Sequence, residues 1–361
     1  MADLSVRLFD LELKNPVMPA AGPPVKDGRA AHAAKEGGAG AIVTKTISVR
    51  AARVPKPNMT RVKGGFINTE LWSELPPERW LAEEYPKAVK TGLPVIVGLG
   101  YTSKEIRELA GRVEPFAAAL ELSTHYLGND PTPVVESIRA AKDVVDIPVM
   151  VKLSPQVDIP RFASAAEEAG ADGIVLINSL GPVLDIDLET GRPLLGSEQG
   201  YGWLSGDAIF PLALKSVFEA VQSVDIPVIG VGGISSGADA LKMIMAGAVA
   251  VQVCTAAIIN GPSVYGKIVR EMEQFMDEHG YRSLSEIRGM AQKRRRDTAS
   301  YARIIPELVE DKCTGCGLCI TSCVYDAIHF SRDRKTVIID EVRCAGCGLC
   351  VSRCNFAALY L

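Results

Sequence analysis

The pattern Cys-x2-Cys-x2-Cys-x3-Cys occurs twice near the end of the chain, at Cys313, Cys316, Cys319 and Cys323 and again at Cys344, Cys347, Cys350 and Cys354. No other feature restricts the fold as much. The first three thiolates of such a run sit on a tight loop and bind three corners of an iron–sulfur cubane. The fourth lies on the following helix and reaches the other cubane of a pair. The spacing therefore assigns one [4Fe–4S] cluster to Cys313, Cys316, Cys319 and Cys354, and a second to Cys344, Cys347, Cys350 and Cys323. Gly315, Gly317, Gly346 and Gly348 inside the loops let backbone N–H groups approach the sulfides. A zinc knuckle would need four ligands in one compact site, usually spaced two by two. The ninth cysteine, Cys254, stands alone, and the segment Met1–Arg7 lacks the apolar core of a secretory signal. Metal ligation is therefore expected rather than a disulfide framework.

Composition narrows what the clusters serve. Lys plus Arg number 39 against 43 for Asp plus Glu, a net charge of −4, and aromatic residues make up only 6%. Neither a basic face nor base-stacking platforms are indicated, so no nucleic-acid partner is expected. No apolar run approaches the roughly 18 residues of a membrane span. A cytoplasmic protein is expected. The module after Lys312 resembles bacterial two-cluster ferredoxins over its whole length. The Pro that commonly follows the fourth Cys is Val324 in one run and Asn355 in the other, and neither position supplies a ligand.

The rest of the 361 residues carries a different rhythm. Leu93-Pro94-Val95, Ile147-Pro148-Val149 and Ile226-Pro227-Val228 each open a short β-branched apolar run, as strands buried on both faces do. Alanine-rich stretches such as Arg161–Ala171 and Ala238–Ala246 end in Gly and lead into further apolar runs, Gly173–Asn178 and Ala248–Cys254. Repeated βα units predict an α/β chain. A (β/α)8 TIM barrel is expected over residues 1–303, followed by a small α+β ferredoxin-like domain over 304–361. An open doubly wound sheet is the alternative. The run Lys293-Arg294-Arg295-Arg296 reads as a solvated helix face, with docking of an acidic redox partner as the sharper reading.

Several segments fall where barrel strands end, the face on which such barrels build active sites. They are Asn15–Gly22, Thr44–Thr46, Val151–Pro155, Leu204–Gly206, Gly230–Ile234 and Val253–Thr255. Together they make the first part of the chain resemble the dihydroorotate dehydrogenase family, particularly the flavin domain of dihydropyrimidine dehydrogenases. The resemblance implies FMN, with its phosphate on Gly206, Gly232, Gly233, Cys254 and Thr255. It puts the flavin ring near Ala20, Ala21, Gly22, Lys45, Thr46, Asn68 and Lys152, with Lys45 among the expected catalytic residues. Asn68 matches an asparagine between flavin and substrate, and Asn178 and Ser179 match a pair that grips substrate.

One segment departs from the family. Where the family has Glu-Leu-Asn-x-Ser-Cys-Pro-Asn, or Ser for that Cys, this chain has Glu121-Leu122-Ser123-Thr124-His125-Tyr126-Leu127-Gly128. Ser123 stands for a substrate-binding Asn, and Tyr126 for the acid/base residue. A tyrosine, with an unperturbed pKa near 10, is a ready acid and a poor base. Tyr126 is therefore expected to protonate an activated C=C that receives hydride from FMN. His125 is the alternative proton donor, and a pair that merely fills space is the bland reading. A standard pyrimidine substrate is not expected.

No glycine-rich dinucleotide fingerprint opens a helix after an early strand. Electrons are expected from a ferredoxin or from a separate NAD(P)H-oxidising flavoprotein subunit, and the chain is expected to be a homo- or hetero-oligomer acting on a small molecule. The competing expectation is an electron-transfer subunit of a larger complex without substrate chemistry of its own.

Overall fold

The computed structural model describes residues 2–295, 299–333 and 335–361, and the chain divides into two compact units, Met1–Arg295 and Arg296–Leu361. In the first unit eight strands form one parallel sheet. They are β1 (Val17–Pro19), β2 (Ile42–Val43), β3 (Val95–Leu99), β4 (Ala119–Ser123), β5 (Val149–Leu153), β6 (Gly173–Leu176), β7 (Val228–Val231) and β8 (Ala250–Val253). Neighbours follow chain order from β2 to β8, and β8 pairs back onto β1. Gly40 donates its N–H to the Val17 carbonyl at 2.8 Å, which brings the start of β2 beside β1 and closes the barrel. The expected (β/α)8 architecture is present.

The prolines that open strands cost no ladder bond. Each lacks a donor, yet the carbonyls of Pro94, Pro148 and Pro227 accept from Ile42, Leu120 and Ile174 at 2.8–2.9 Å. Helices alternate with the strands: α1 (Gly28–Glu36), α2 (Ser103–Val113), α3 (Thr132–Lys142), α4 (Ile159–Glu168), α5 (Phe210–Ala220) and α6 (Gly237–Ala246), with a helical run over 77–89 between β2 and β3. Capping boxes, Thr102 with Glu105 and Ser236 with Asp239, start α2 and α6. After β8 come α7 (Thr255–Asn260) and α8 (Val264–Glu278).

Period-2 alternation along the strands sorts residues between two cores. Met18, Val43, Ile96, Ala119, Met150, Val175, Ile229 and Ala250, one from each strand, form a fully buried layer inside the barrel. Leu8 and Leu13, on the hairpin of Val6–Leu8 and Leu11–Leu13, join this layer and plug its N-terminal end. Intervening residues such as Val17, Ile42, Val97 and Val151 pack outward against the helices. Two positions further along the strands the interior turns polar, with Lys45, Glu121, Lys152 and Gln252 all buried.

Two loops above the barrel build a second sheet. Leu180–Val183, Gly202–Ser205, Gly65–Asn68 and Met59–Val62 lie side by side and antiparallel, and the register sets Trp203 opposite Asn68 and Ser205 opposite Phe66. The first unit ends in a short helix, Met290–Lys293, where Lys293, Arg294 and Arg295 are exposed; Arg296 of that basic run lies outside the described residues.

The second unit is a small α+β module. Glu307–Leu308 pairs with Leu359–Tyr360, and Ile328–Ser331 pairs with Thr336–Ile339. Two short helices, Leu318–Ser322 and Leu349–Ser352, each follow a cysteine loop, and Cys319, Ile328, Val337, Cys350 and Leu359 form its core.

Candidate active site

A cavity opens at the C-terminal end of the barrel, with about 1040 Å³ of atom-free space counted out to its mouth. That is ample for a cofactor-sized ligand. Strand ends supply its floor and the antiparallel sheet supplies one wall.

One end is built for an anion. Gly206, Gly232, Gly233 and Thr255 line it, and the three glycines adopt φ of 83°, 125° and 72°. At Gly233 a Cβ would also come within 2.6 Å of the Phe210 Cβ, so the loop requires glycine. No side chain caps α7, and its first intrahelical bonds begin at Ala257, which leaves the Thr255 and Ala256 N–H groups without an intrahelical acceptor. Ser205 and Thr255 share a hydroxyl hydrogen bond of 2.8 Å beside them. Unsatisfied donors of this kind suit a phosphate.

The middle of the cavity is lined by Ala20, Ala21, Gly22, Lys45, Thr46, Lys152 and Cys254. A Cβ on Gly22 would reach within 2.9 Å of the Cys254 Sγ, so the chain passes close to that thiol, whose pKa burial raises. The thiol is therefore held protonated, as a packing group and not a nucleophile. Lys152 Nζ contacts Glu121 and Gln252, each at 3.3 Å, and the Gln252 amide donates to the other Glu121 oxygen at 2.5 Å. Glu121 and Gln252 are completely buried, so this triad fixes the Lys152 ammonium at the cavity floor. On the opposite side Lys45 Nζ lies 2.6 Å from Glu70. A phosphate cradle, two oriented ammoniums and glycine-lined approaches fit FMN. When bound, FMN would supply hydride exchange at its N5.

At the outer end stand Asn68, Ser123, Asn178 and Ser179. Asn178 Nδ2 approaches Ser123 Oγ at 3.4 Å, and Asn68 Nδ2 donates to the Trp203 carbonyl at 3.2 Å. His125 also lines the cavity, edge-on to Trp203 with ring centroids 4.4 Å apart. Burial lowers its pKa from the ordinary imidazole value, which favours the neutral ring at pH 7.

Tyr126 is placed differently from the sequence expectation. It is absent from the cavity lining, its ring stacks on Phe162 of α4 with centroids 6.2 Å apart, and its hydroxyl lies against Gly128. Alternation explains this. Ala119, Glu121 and Ser123 point inward, so the next inward position is 125; His125 turns the chain there with φ of 51°. Of the two side chains, His125 lines the cavity and Tyr126 does not.

Other lining residues were not singled out from sequence. Glu70 and Gln252 are two. Tyr101 is a third, its ring 4.9 Å from that of Trp72 across the mouth and its pKa pushed up by burial to about 12. Trp80, by contrast, is buried and donates to Ser73, a packing role.

In the second unit the cysteines separate into two small apolar cavities. Cys313, Cys316, Cys319 and Cys354 line one, and Cys323, Cys344, Cys347 and Cys350 line the other. Backbone N–H groups of Ala327, Gly346 and Ala358 donate to the sulfurs of Cys323, Cys344 and Cys354 at 3.2–3.4 Å. Among the described residues no three His, Cys, Asp or Glu side chains close around one metal ion. A cubane asks for wider spacing, since each of its four cysteines binds a different iron.

Known proteins resemble the chain in both parts. A family model described as "Dihydroorotate dehydrogenase" matches residues 3–276, and one described as "4Fe-4S dicluster domain" matches residues 312–358. A protein of Methanothermobacter thermautotrophicus named "Dihydroorotate dehydrogenase B (NAD(+)), catalytic subunit" is 38% identical over 301 residues, 80% of this chain and 98% of its own length. Proteins of the same name from Methanosarcina mazei and Pyrococcus abyssi are 39% and 37% identical, again over 80% of this chain and over 95% and 99% of their own. These relatives are thus matched nearly end to end, while a fifth of this chain lies outside the match.

Proposed function

The chain belongs to the dihydroorotate dehydrogenase family, FMN-dependent oxidoreductases acting on CH–CH groups, and carries a 4Fe-4S dicluster domain after the barrel; on that footing we propose that it couples C=C/CH–CH chemistry on a small molecule to electrons carried by two [4Fe–4S] clusters. Cys313, Cys316, Cys319 and Cys354 would hold one cluster and Cys344, Cys347, Cys350 and Cys323 the other, each supplying one-electron transfer when bound. The observation that carries this reading is the pairing of an FMN-shaped barrel cavity with two four-cysteine cavities in one chain.

The residues divide the work. Lys152, held by Glu121 and Gln252, and Lys45 would orient the flavin's polar edge. Asn68, Asn178 and Ser179 offer amide and hydroxyl groups to substrate, and Ser123 leaves room that a larger side chain would fill. His125 holds the proton that must move at the carbon next to the one exchanging hydride. Reduction was expected on the strength of Tyr126 as an acid. His125, an imidazole whose pKa burial lowers, can donate a proton when charged and remove one when neutral.

The relatives' printed name gives them dihydroorotate as substrate, NAD(+) as acceptor and the standing of a catalytic subunit. We propose that this chain differs in its substrate and in the route by which electrons reach the barrel. A site that has Ser123 where the family has an amide discriminates against substrates needing that bond, and the dicluster domain takes electrons from a ferredoxin or from a separate NAD(P)H-oxidising flavoprotein subunit. An electron-transfer subunit without substrate chemistry would have no use for Asn68, Asn178 and His125 gathered at one cavity. The test is an anaerobic single turnover: reduced holoenzyme is mixed with neutral enones and cyclic enamides and flavin absorbance is followed. Reoxidation by one of them within seconds is expected. Failure of every candidate, with stable capture by a partner complex, would sink the enzyme reading.

A further inference from the structure

Among the described residues, the cavity is lined by two lysines and no arginine, and each lysine already has a carboxylate. Lys152 is compensated from beneath by Glu121, outside the substrate space. Lys45 is compensated within it, because Glu70 itself lines the cavity. The Lys45 and Glu70 side chains are only 7% and 16% exposed. Asn58 Nδ2 donates to the second Glu70 oxygen at 2.5 Å, and the Glu70 N–H donates to Asn68 Oδ1 at 3.0 Å. The carboxylate is therefore held at both ends, beside the same Asn68 that faces substrate. His125, neutral at pH 7, adds no positive charge.

A substrate carboxylate entering beside Lys45 would meet a second anion at close range, in a poorly solvated space where repulsion is strong. Lys45 cannot turn to it without leaving a buried carboxylate unpaired. A hydrogen-bond donor meets the opposite situation. Each carboxylate oxygen accepts more than one bond, so both Glu70 oxygens keep acceptor capacity. Trp72, Tyr101 and His125 present ring faces and edges at the mouth, which suits a flat ligand.

We propose that Glu70 is a specificity-determining residue: it excludes carboxylate-bearing substrates and selects an uncharged, flat one that presents an N–H or O–H to its carboxylate. This rests on the barrel cavity being a substrate site, and it names the class of substrate. Dihydroorotate, a carboxylate, falls in the excluded class.

The test uses the FMN-loaded full-length chain and two probes that share a ring, orotate with a carboxylate and uracil without one. Binding is read from the shift of the flavin absorbance, with no turnover required. Glu70→Gln keeps the shape and removes the charge; its one amide oxygen can still accept from Lys45, while its NH2 then faces Asn58, whose own amide oxygen must turn to accept it. It is expected to tighten orotate binding at least tenfold over wild type, and Lys45→Met on top of it is expected to abolish the gain. Orotate bound by wild type within threefold of the Glu70→Gln affinity would overturn the proposal. Glu70→Ala is the second variant, and whichever of the two retains full FMN content decides the result. Failure of every enone in the turnover test would remove the enzyme reading and leave this titration readable; a charge-blind titration beside successful turnover would remove Glu70's role alone.

Discussion

Exchanging His125 for Gln and, separately, Tyr126 for Phe distinguishes the two side chains by consequences worked from their positions. Tyr126 stacks on Phe162 outside the cavity, and a Phe at 126 retains that ring contact. Stability is expected to change by less than about 0.5 kcal/mol and turnover by less than about twofold. His125 lines the cavity, where a positioned acid/base contributes typically ~10²–10⁴-fold, or about 2.7–5.4 kcal/mol off the barrier of the proton-transfer step. The assay is stopped-flow reoxidation of the reduced flavin by the accepted substrate, repeated from pH 5 to 9. Burial lowers the His125 pKa from 6.5. Reduction of C=C needs the imidazolium, so its rate is expected to fall as pH rises through that lowered pKa. Oxidation of CH–CH needs the neutral ring, so its rate is expected to fall as pH drops through the same value. In His125→Gln both limbs should vanish. Loss of turnover in Tyr126→Phe, with His125→Gln fully active, would refute the assignment and the alternation argument behind it.

Three further outcomes follow from the geometry. Gly233→Ala forces a Cβ into Phe210 at a backbone φ of 72°, so FMN content of the purified chain should fall at least tenfold while the cluster absorbance stays. Lys152→Met leaves the fully buried Glu121 without its cation, which is expected to destabilise the barrel by about 3–5 kcal/mol in urea unfolding followed by tryptophan fluorescence; the double change with Glu121→Gln should recover part of that loss. On the proposed ligand sets, Cys354→Ser should disturb the cluster that Cys313, Cys316 and Cys319 would hold and spare the one that Cys344, Cys347 and Cys350 would hold, while Cys323→Ser does the reverse. Iron content and low-temperature electron paramagnetic resonance report which signal is lost.

Much of this was legible in the residues because it is local. A Pro-Val pair marks the start of β3, β5 and β7, and helix–Gly–strand junctions mark the repeat between them. The two cysteine runs suggest a crossed grouping by their spacing, and the two cysteine-lined cavities group the side chains the same way; the positive-φ glycines at one end of the cavity stand at strand ends. What escaped is non-local. The antiparallel sheet over the mouth joins residues 59–68 to residues 180–205, and no short window contains both halves. Glu70 takes its meaning from Lys45, which lies in another loop. Gln252 reads as part of an apolar strand until alternation sets it beside Glu121 and Lys152. Matching the family motif position by position points to Tyr126, whereas the strand's own period, continued from Glu121 and Ser123, points to His125, the side chain that lines the cavity.

Electron entry through the clusters is the central claim, and one rapid-mixing measurement addresses it. Reduced ferredoxin is mixed anaerobically with the oxidised full-length chain, and flavin bleaching near 450 nm is compared with that of a Cys319→Ser/Cys350→Ser chain holding the same FMN. Flavin reduction is expected in the intact chain and at least a hundredfold slower without the clusters, while photoreduction of the flavin proceeds equally in both. Equal rates of ferredoxin-driven bleaching in the two chains would contradict cluster-mediated entry.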